Sequence, residues 1–344
     1  MKVAICVTLD LSAPGGVEAH ILQLSHALRE IGLQVDIFST HCSADIKSLS
    51  SFHPEKYHIL HTHAAAFPSR LWSFFLNRNS LPRHIHTLHG VSLEYLFACR
   101  TWLNWRCYWG TFMEGLLSHL ADHVIAVSQS VKNRALQCHF APSPKITVIP
   151  NGYHPAKLFP QTRAHVRGRL GLSSDELVLL FVGRGEDRLK GTQTITDSLN
   201  QLYRQYPHLR LLAIPGTGFS PAPWLCTTGP IPYDQMSEYY TAADIYLNAS
   251  LLEGMPLTIV EALAAGLPVI AAPVGGIPDI ITPDHSGILL SPDRSDLTAQ
   301  ITRLIENPTL RQTLTQNAPT AVHDLTWPTL AQQTFSIYQS IIPC

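Results

Sequence analysis

Short apolar runs alternate with amphipathic stretches along this chain, and the alternation is played out twice. "KVAICVTL" reads as a buried strand. After "SAPGG", the apolar positions Val17, Ile21, Leu24, Leu28 and Ile31 step by four and three, as on one face of a helix, and Gly32 stops it. "LQVDIF" is the next strand; "YHILHTH", "RHIHTLHG", "HVIAVS" and "KITVIPNG" continue the series. Strands separated by helices pair in parallel, with the helices covering the faces of the sheet. In "NGYHPAKLFP", Gly152, Pro155 and Pro160 break the rhythm. It restarts with "ELVLLFVG", "LRLLAIPG", "DIYLNAS", "LPVIAAP" and "GILLSP". The expected fold is therefore α/β: two doubly wound parallel-sheet domains joined by a hinge, the first over residues 1–152. The 344 residues suit two domains of roughly 150. Ligands of such sheets collect at the carboxyl ends of strands, so two domains facing across a cleft would place their motifs there.

Composition excludes several functions. The net charge of −1 gives no global field for nucleic acid. Residues 1–152 are slightly basic, the remainder slightly acidic, and thirteen of the eighteen histidines lie in the first stretch. Only 14% of residues are charged, against roughly 25% in average soluble proteins, which suits a surface partly covered by a partner, a membrane face or the other domain. The seven cysteines are scattered with no C-x-x-C pair, as expected of free thiols in a reducing compartment. The N-terminal apolar run is too short for a signal peptide, and no run reaches the roughly 18–20 residues of a spanning helix. The expected location is the cytoplasm, with peripheral contact at the inner face of the cell membrane as an extension.

"LLEGMPLTIVEALAAG", Leu251 to Gly266, keeps two glutamates in a nearly apolar run. Gly254 and Pro256 suit a turn into a helix over about Leu257–Ala265, so Glu253 falls in the loop and Glu261 in the helix. Only Thr258 and Glu261 are polar in that helix, three apart on one face. A buried carboxylate needs partners, and a vicinal diol supplies two donors to an acceptor-only group. The helix N-terminus near Met255–Leu257 attracts phosphate. Phosphate, diol and a further polar group together describe a nucleotide sugar.

In "FVGRGEDRLKG", Arg184 stands at a strand end and Lys190 six residues on, two cations placed to bracket a diphosphate. In "SAPGGVEAH", Gly15 and Gly16 allow close backbone approach ahead of a helix, without the G-x-G-x-x-G of dinucleotide sites. "PVGGIPDII" reads as a plain strand-to-helix connection. His61, His63, His84, His86 and His89 gather at two strand ends; His-x-His spacing suits zinc, but no nearby Asp, Glu or Cys pattern completes a site. They read as polar residues, one of them donating to a sugar or acceptor. No Asp-x-Asp occurs, which speaks against a metal-held diphosphate. The stretch Ser92–Leu117 carries seven aromatics and two arginines at helical spacing, open to two readings: core, or a face for a membrane or acceptor.

Taken together, "PGGVEAHILQLSHAL", "HTLHG", "HVIAVSQSVK", "ITVIPNGYHPAKLF", "LLFVGRGEDRLKG", "YYTAADIYLNASLLEGMPLTIVEALAAGLPVIA" and "VGGIPDII…SGILLSP" resemble the retaining glycosyltransferases of family 4, which have the two-domain GT-B fold. The E-x7-E spacing of Glu253 and Glu261 is the most specific piece. The resemblance implies that residues 153–327 bind the donor, and that the closing "TWPTLAQQTFSIYQSII" is a helix, residues 328–344, returning to the first domain on the acceptor side. It implies that Glu261 holds the ribose hydroxyls, that Glu253 and the backbone of Gly254, Met255, Pro256 and Leu257 meet the sugar and phosphates, with Gly183 and Thr258 beside them, and that Arg184 and Lys190 stabilise the leaving diphosphate. Gly15 and Gly16 would approach that diphosphate, His89 would stand near the anomeric carbon, and His63 would line the acceptor side. Gly-Met-Pro replaces the Gly-Phe-Gly of many members, which bears on the sugar.

The function so implied is transfer of a hexose, with retention and without metal or other cofactor, from a UDP- or GDP-sugar to a hydroxyl of a glycan or lipid-linked acceptor in cell-surface polysaccharide synthesis. The alternatives are a sugar-nucleotide epimerase on the same fold and an inactive sugar-nucleotide-binding scaffold.

Overall fold

A computed structural model describes residues 1–12, 15–64, 82–94, 105–155, 162–184 and 188–342. Two compact units divide the chain: Met1–Asn151 with Trp327–Cys344, and Gly152–Thr326. Each is a parallel sheet flanked by helices.

The first unit contributes strands β1 (Lys2–Cys6), β2 (Gln34–Ser39), β3 (Ile46–Ser48), β4 (Ile59–His63), β5 (Arg83–Leu88), β6 (His123–Ala126) and β7 (Ile146–Val148). They run in the order β3-β2-β1-β4-β5-β6-β7, every pair parallel. The order reverses between β1 and β4, which opens a crevice at their carboxyl ends. The helix Gly16–Glu30 follows β1 and buries Ile21, Leu24, Ala27 and Leu28, the periodic positions that favour it in the sequence, together with His20. The helix Trp327–Ile341 returns to this unit and packs on Gly16–Glu30, burying Trp327, Leu330 and Tyr338.

The second unit contributes β8 (Leu177–Val182), β9 (Leu209–Ile214), β10 (Leu225–Thr227), β11 (Ile245–Asn248), β12 (Val269–Ala271) and β13 (Ile288–Leu289). Their order is β10-β9-β8-β11-β12-β13, again all parallel. Here the reversal lies between β8 and β11. The core on one face is built from Leu179, Phe181, Leu199, Leu211, Trp224, Leu247 and Ile301.

Two strands lie outside the sequence expectation. Both β3 and β10 are three-residue edge strands of mixed polarity, too short to show a period. The aromatic stretch is helical from Trp105 to Leu120, and its residues 95–104 lie outside the described residues. On that helix Trp105, Tyr108, Trp109 and Phe112, spaced i, i+3, i+4 and i+7, are 69%, 47%, 57% and 57% exposed, so the core reading fails for these four. Among the described residues no helix is long and apolar enough to cross a membrane. Among the described residues, Cys6, Cys42, Cys107, Cys138 and Cys226 form no disulfide with one another.

Candidate functional site

The crevice where the second sheet reverses gathers most of the polar residues singled out above. β11 ends at Asn248, and the loop after it carries Glu253. β8 ends at Val182; beyond it Arg184 is exposed, and Lys190 closes the turn Arg188–Lys190. Leu189 is buried, and its carbonyl accepts from the Leu251 N–H at 2.7 Å, which fastens the two loops together. Gly191 makes this fit possible. Its φ is +68°, and a Cβ there would overlap the Ala249 carbonyl.

This junction brings Lys190 onto Glu253. The Lys190 Nζ donates to Glu253 Oε1 at 2.8 Å. The Ser250 hydroxyl donates to the same oxygen at 2.7 Å, and the Asn248 amide at 3.5 Å. All three bonds fall on Oε1; Oε2 carries none of them. Gly254 lies in the turn before the helix but has no positive φ; that conformation belongs to Gly275, at +59°, where a Cβ would overlap the Glu253 carbonyl. Gly276 then donates its N–H to the Gly254 carbonyl at 2.7 Å. "PVGGIPDII" is thus the brace under the Glu253 loop, more than the simple connection read from the sequence. Gly183 gives its N–H to Ile214 at 2.8 Å, so the sheet consumes that donor.

The second glutamate lies one helix further. The helix spans Leu257–Ala264, with Pro256 at the extended cap position before it. Met255, Pro256 and Leu257 are buried, and the first-turn N–H groups are those a helix leaves without intrahelical partners. Glu261 is buried, and Tyr240 donates its hydroxyl to Glu261 Oε2 at 2.7 Å. Burial and the neighbouring carboxylate hold the Tyr240 hydroxyl well above its usual pKa, so it remains a donor. Thr258, on the same face, shares a 2.7 Å bond with the Tyr246 hydroxyl. Glu261 also lines a small pocket with Tyr153, His154, Tyr233, Met236 and Ser237. The tyrosine partners were missed in the sequence; "EYYTAADIY" held them, but nothing in its spacing pairs a tyrosine with a carboxylate 21 residues on.

The remaining candidates belong to the first unit. Gly15 is the extended cap of the helix Gly16–Glu30, and Gly16 faces open space. His63 ends β4 and His89 follows β5, and their rings meet: His63 Nδ1 lies 3.0 Å from His89 Nε2. His20 joins them from the helix, its ring centre 4.6 Å from that of His89, and its Nδ1 is 2.7 Å from Asn151 Oδ1. His61 bonds Tyr338 and Thr87, both at 2.7 Å, while His84 and His86 share the Thr62 hydroxyl.

Burial disfavours the imidazolium form throughout this group. It pushes His20 down to about 4 and His86 to about 3, and holds His61, His63, His84 and His89 well below their ordinary value. The unfolded chain takes up these protons near pH 6.5 and the folded unit refuses them. The stabilisation is therefore complete above pH 6.5 and lost as pH falls towards the folded values, by about 1.4 kcal/mol per histidine per pH unit. The melting temperature is expected to be flat from pH 8 to 7 and to fall steeply between pH 6 and 5. A flat profile down to pH 5 would mean that the cluster is hydrated.

The family model of "Glycosyl transferases group 1" matches residues 176–307, and that of "Glycosyltransferase Family 4" matches residues 42–157. Both models describe glycosyltransferases, one matching within the second unit of the chain and the other almost wholly within the first unit. A D-inositol 3-phosphate glycosyltransferase of Segniliparus rotundus is 32% identical over 213 residues, covering 57% of this chain and 47% of that protein. The chain thus spans about half the length of this relative. The gpi3 subunit of phosphatidylinositol N-acetylglucosaminyltransferase of Schizosaccharomyces pombe is 27% identical over 368 residues, covering 95% of this chain and 78% of that one. Among solved structures, sucrose-phosphate synthase from Thermosynechococcus elongatus superposes with a TM-score of 0.82 at 23% identity, covering 99% of this chain and 98% of that one. HepE of Anabaena in complex with UDP-glucose superposes at 0.79 with 19% identity, covering 99% and 100%. At such identities the likeness carries the fold, which is that of the GT-B glycosyltransferases.

Proposed function

We propose that this protein is a retaining glycosyltransferase. It moves a hexose from a UDP- or GDP-sugar to a hydroxyl of a glycan or lipid-linked acceptor, and it does so without metal at the diphosphate. The observation that carries this reading is the Lys190–Glu253 pair, braced beside the N-terminus of the helix that buries Glu261.

Each residue has a chemical part. The ionised Glu261 carboxylate accepts from the two ribose hydroxyls in addition to Tyr240. Lys190, Arg184 and the first-turn amides of Leu257–Ala264 meet the diphosphate, where negative charge grows as the glycosidic bond breaks. Glu253 orients Lys190 through Oε1 and offers Oε2 to a sugar hydroxyl. The departing phosphate takes the acceptor proton on the same face, so no separate base is required. On the family pattern alone, Gly15 and Gly16 approach the diphosphate, His89 stands by the anomeric carbon and His63 serves the acceptor. The UDP-glucose bound by HepE supports a nucleotide-sugar donor. The relatives named for inositol phosphate and phosphatidylinositol substrates support a polar or lipid-linked acceptor. The exposed aromatics of Trp105–Leu120 suit a headgroup boundary, where rings with one apolar and one polar end settle. Peripheral attachment to the inner face of the cell membrane, and a role in cell-surface polysaccharide synthesis, follow from that reading.

Titrating the protein with UDP, GDP, ADP and NAD in the presence of a chelator tests the donor site. One nucleoside diphosphate is expected to bind, and its sugar to be transferred only when acceptor is present. Binding that requires added metal removes the metal-free mechanism. Conversion of the donor without acceptor indicates the epimerase, and binding without turnover the scaffold.

A further inference from the structure

In the first unit, His63 and His89, which the family pattern gives to the acceptor and the anomeric carbon, meet a third histidine, His20, for which the transferase reading has no part. Three imidazoles reach one point from three elements: His20 from the helix Gly16–Glu30, His63 from the end of β4 and His89 from the turn after β5. One ring nitrogen of each lies within 4.8 Å of one ring nitrogen of both others. We propose that His20, His63 and His89 form a binding site for a divalent transition-metal ion of the zinc class.

The hydrogen bonding leaves a lone pair for such an ion on His20, and the ion would take the place of the His63–His89 hydrogen bond. Asn151 Oδ1 can only accept, so the bond to His20 Nδ1 puts the proton on Nδ1 and leaves a lone pair on Nε2. That Nε2 is buried and has no hydrogen-bond partner among the described residues, and the same is true of His63 Nε2. A buried nitrogen in this condition calls for a partner, a water or an ion, because leaving it bare costs the full desolvation of the group; His86 Nε2 shares the condition, but it lies outside the three-histidine group. An oxygen acceptor fixing the far nitrogen of an imidazole, here the Asn151 amide oxygen, plays the part that a carboxylate, backbone carbonyl or water takes behind a metal-bound histidine. His61 is excluded from the set, since Tyr338 and Thr87 occupy both its nitrogens.

The chemistry of the set chooses the ion. Imidazole binds such ions in its neutral form. Three imidazoles with no carboxylate suit zinc, cobalt, nickel or copper, and not magnesium or calcium. Tetrahedral zinc at about 2.0–2.1 Å from each nitrogen leaves a fourth position open. His20 and His63 are buried while His89 is half-exposed, which gives the ion its way in. All three ligands belong to the first unit, and metal uptake can be read without any assay of transferase activity.

The test reads binding on the full chain stripped with a chelator. Co²⁺ titration is expected to give one ion per chain with the strong visible absorption of tetrahedral nitrogen ligation, displaced by Zn²⁺ and not by Mg²⁺. Zn²⁺ is expected to raise the melting temperature. His20→Ala and His63→Ala should each abolish the cobalt spectrum. Asn151→Ala keeps all three imidazoles and should weaken binding about tenfold or more, which also covers the case in which a histidine variant does not fold. No stoichiometric uptake, equal uptake of Mg²⁺, or a cobalt spectrum and affinity unchanged in the folded variants would overturn the proposal.

Discussion

Lys190→Ala is expected to lower kcat by about a hundred- to a thousandfold, the usual loss when one preorganised group facing a developing charge is removed. The reason lies in the timing of the charge. In the free protein Lys190 is already compensated by Glu253 at 2.8 Å, so little of its field is spent on binding a ground-state donor. As the glycosidic bond breaks, the diphosphate oxygen gains charge, and the ammonium can shift its hydrogen bonds towards it. KM for the donor should therefore change much less than kcat. Thr192, two residues on in the helix Thr192–Leu202, provides the comparison, and Thr192→Ala should leave kcat within a few-fold of the parent. Removing the lysine also leaves the Glu253 carboxylate with only the Ser250 and Asn248 donors, so the melting temperature should fall as well. Circular dichroism at the assay temperature separates the two effects. Equal losses of kcat in the two variants, with both folded, would remove Lys190 from the chemistry.

What the sequence disclosed here, and what it withheld, follows from the range of the interactions. The central strands are buried on both faces, so "VAIC", "LVLLFV" and "IYLN" are continuous apolar runs that need no neighbour to be recognised. The edge strands "IKS" and "LCT" have one neighbour and three residues each, and no local pattern separates them from loop. The burial of Glu261 was legible because its whole helix is apolar. The residue that satisfies it was not, because Tyr240 arrives from another helix, Met236–Ala242, that only the sheet brings alongside.

Pairing across long separations was hidden in the same way. Lys190 and Glu253 each looked like a ligand-facing group, yet 63 residues of chain, folded through β9, β10 and β11, set one against the other. The glycine that shapes their loop was sought at Gly254, next to the glutamate, whereas the backbone that has to give way is at Gly275, on the strand-to-helix turn of β12. His20 shows the same limit. It occupies one position in a well-formed amphipathic helix and gives no sign of the histidines at the ends of β4 and β5 that it meets. Spacing along one element is readable; convergence of three elements on one point is a property of the topology.

Glu261→Ala is expected to weaken binding of the nucleoside diphosphate about a hundredfold. Two hydrogen bonds from ribose hydroxyls to an ionised, buried acceptor are worth about 1.5–3 kcal/mol each, less what water returns to the enlarged site. The decisive comparison uses the 2′,3′-dideoxy nucleotide, which has no diol to offer. The parent protein should bind it about as weakly as Glu261→Ala binds the ribonucleotide, and the variant should not lose further affinity for it, so that the two changes are fully coupled in the cycle. Tyr240 complicates a reading from the single variant. Its buried hydroxyl loses its acceptor when the carboxylate goes, at about 1–3 kcal/mol of stability. Glu261→Gln keeps an acceptor for Tyr240 while removing the charge, and should show the smaller loss of stability with most of the loss of nucleotide affinity. If calorimetry finds that dideoxy and ribonucleotide lose affinity equally in the variant, Glu261 acts on the fold through Tyr240, and the ribose assignment falls.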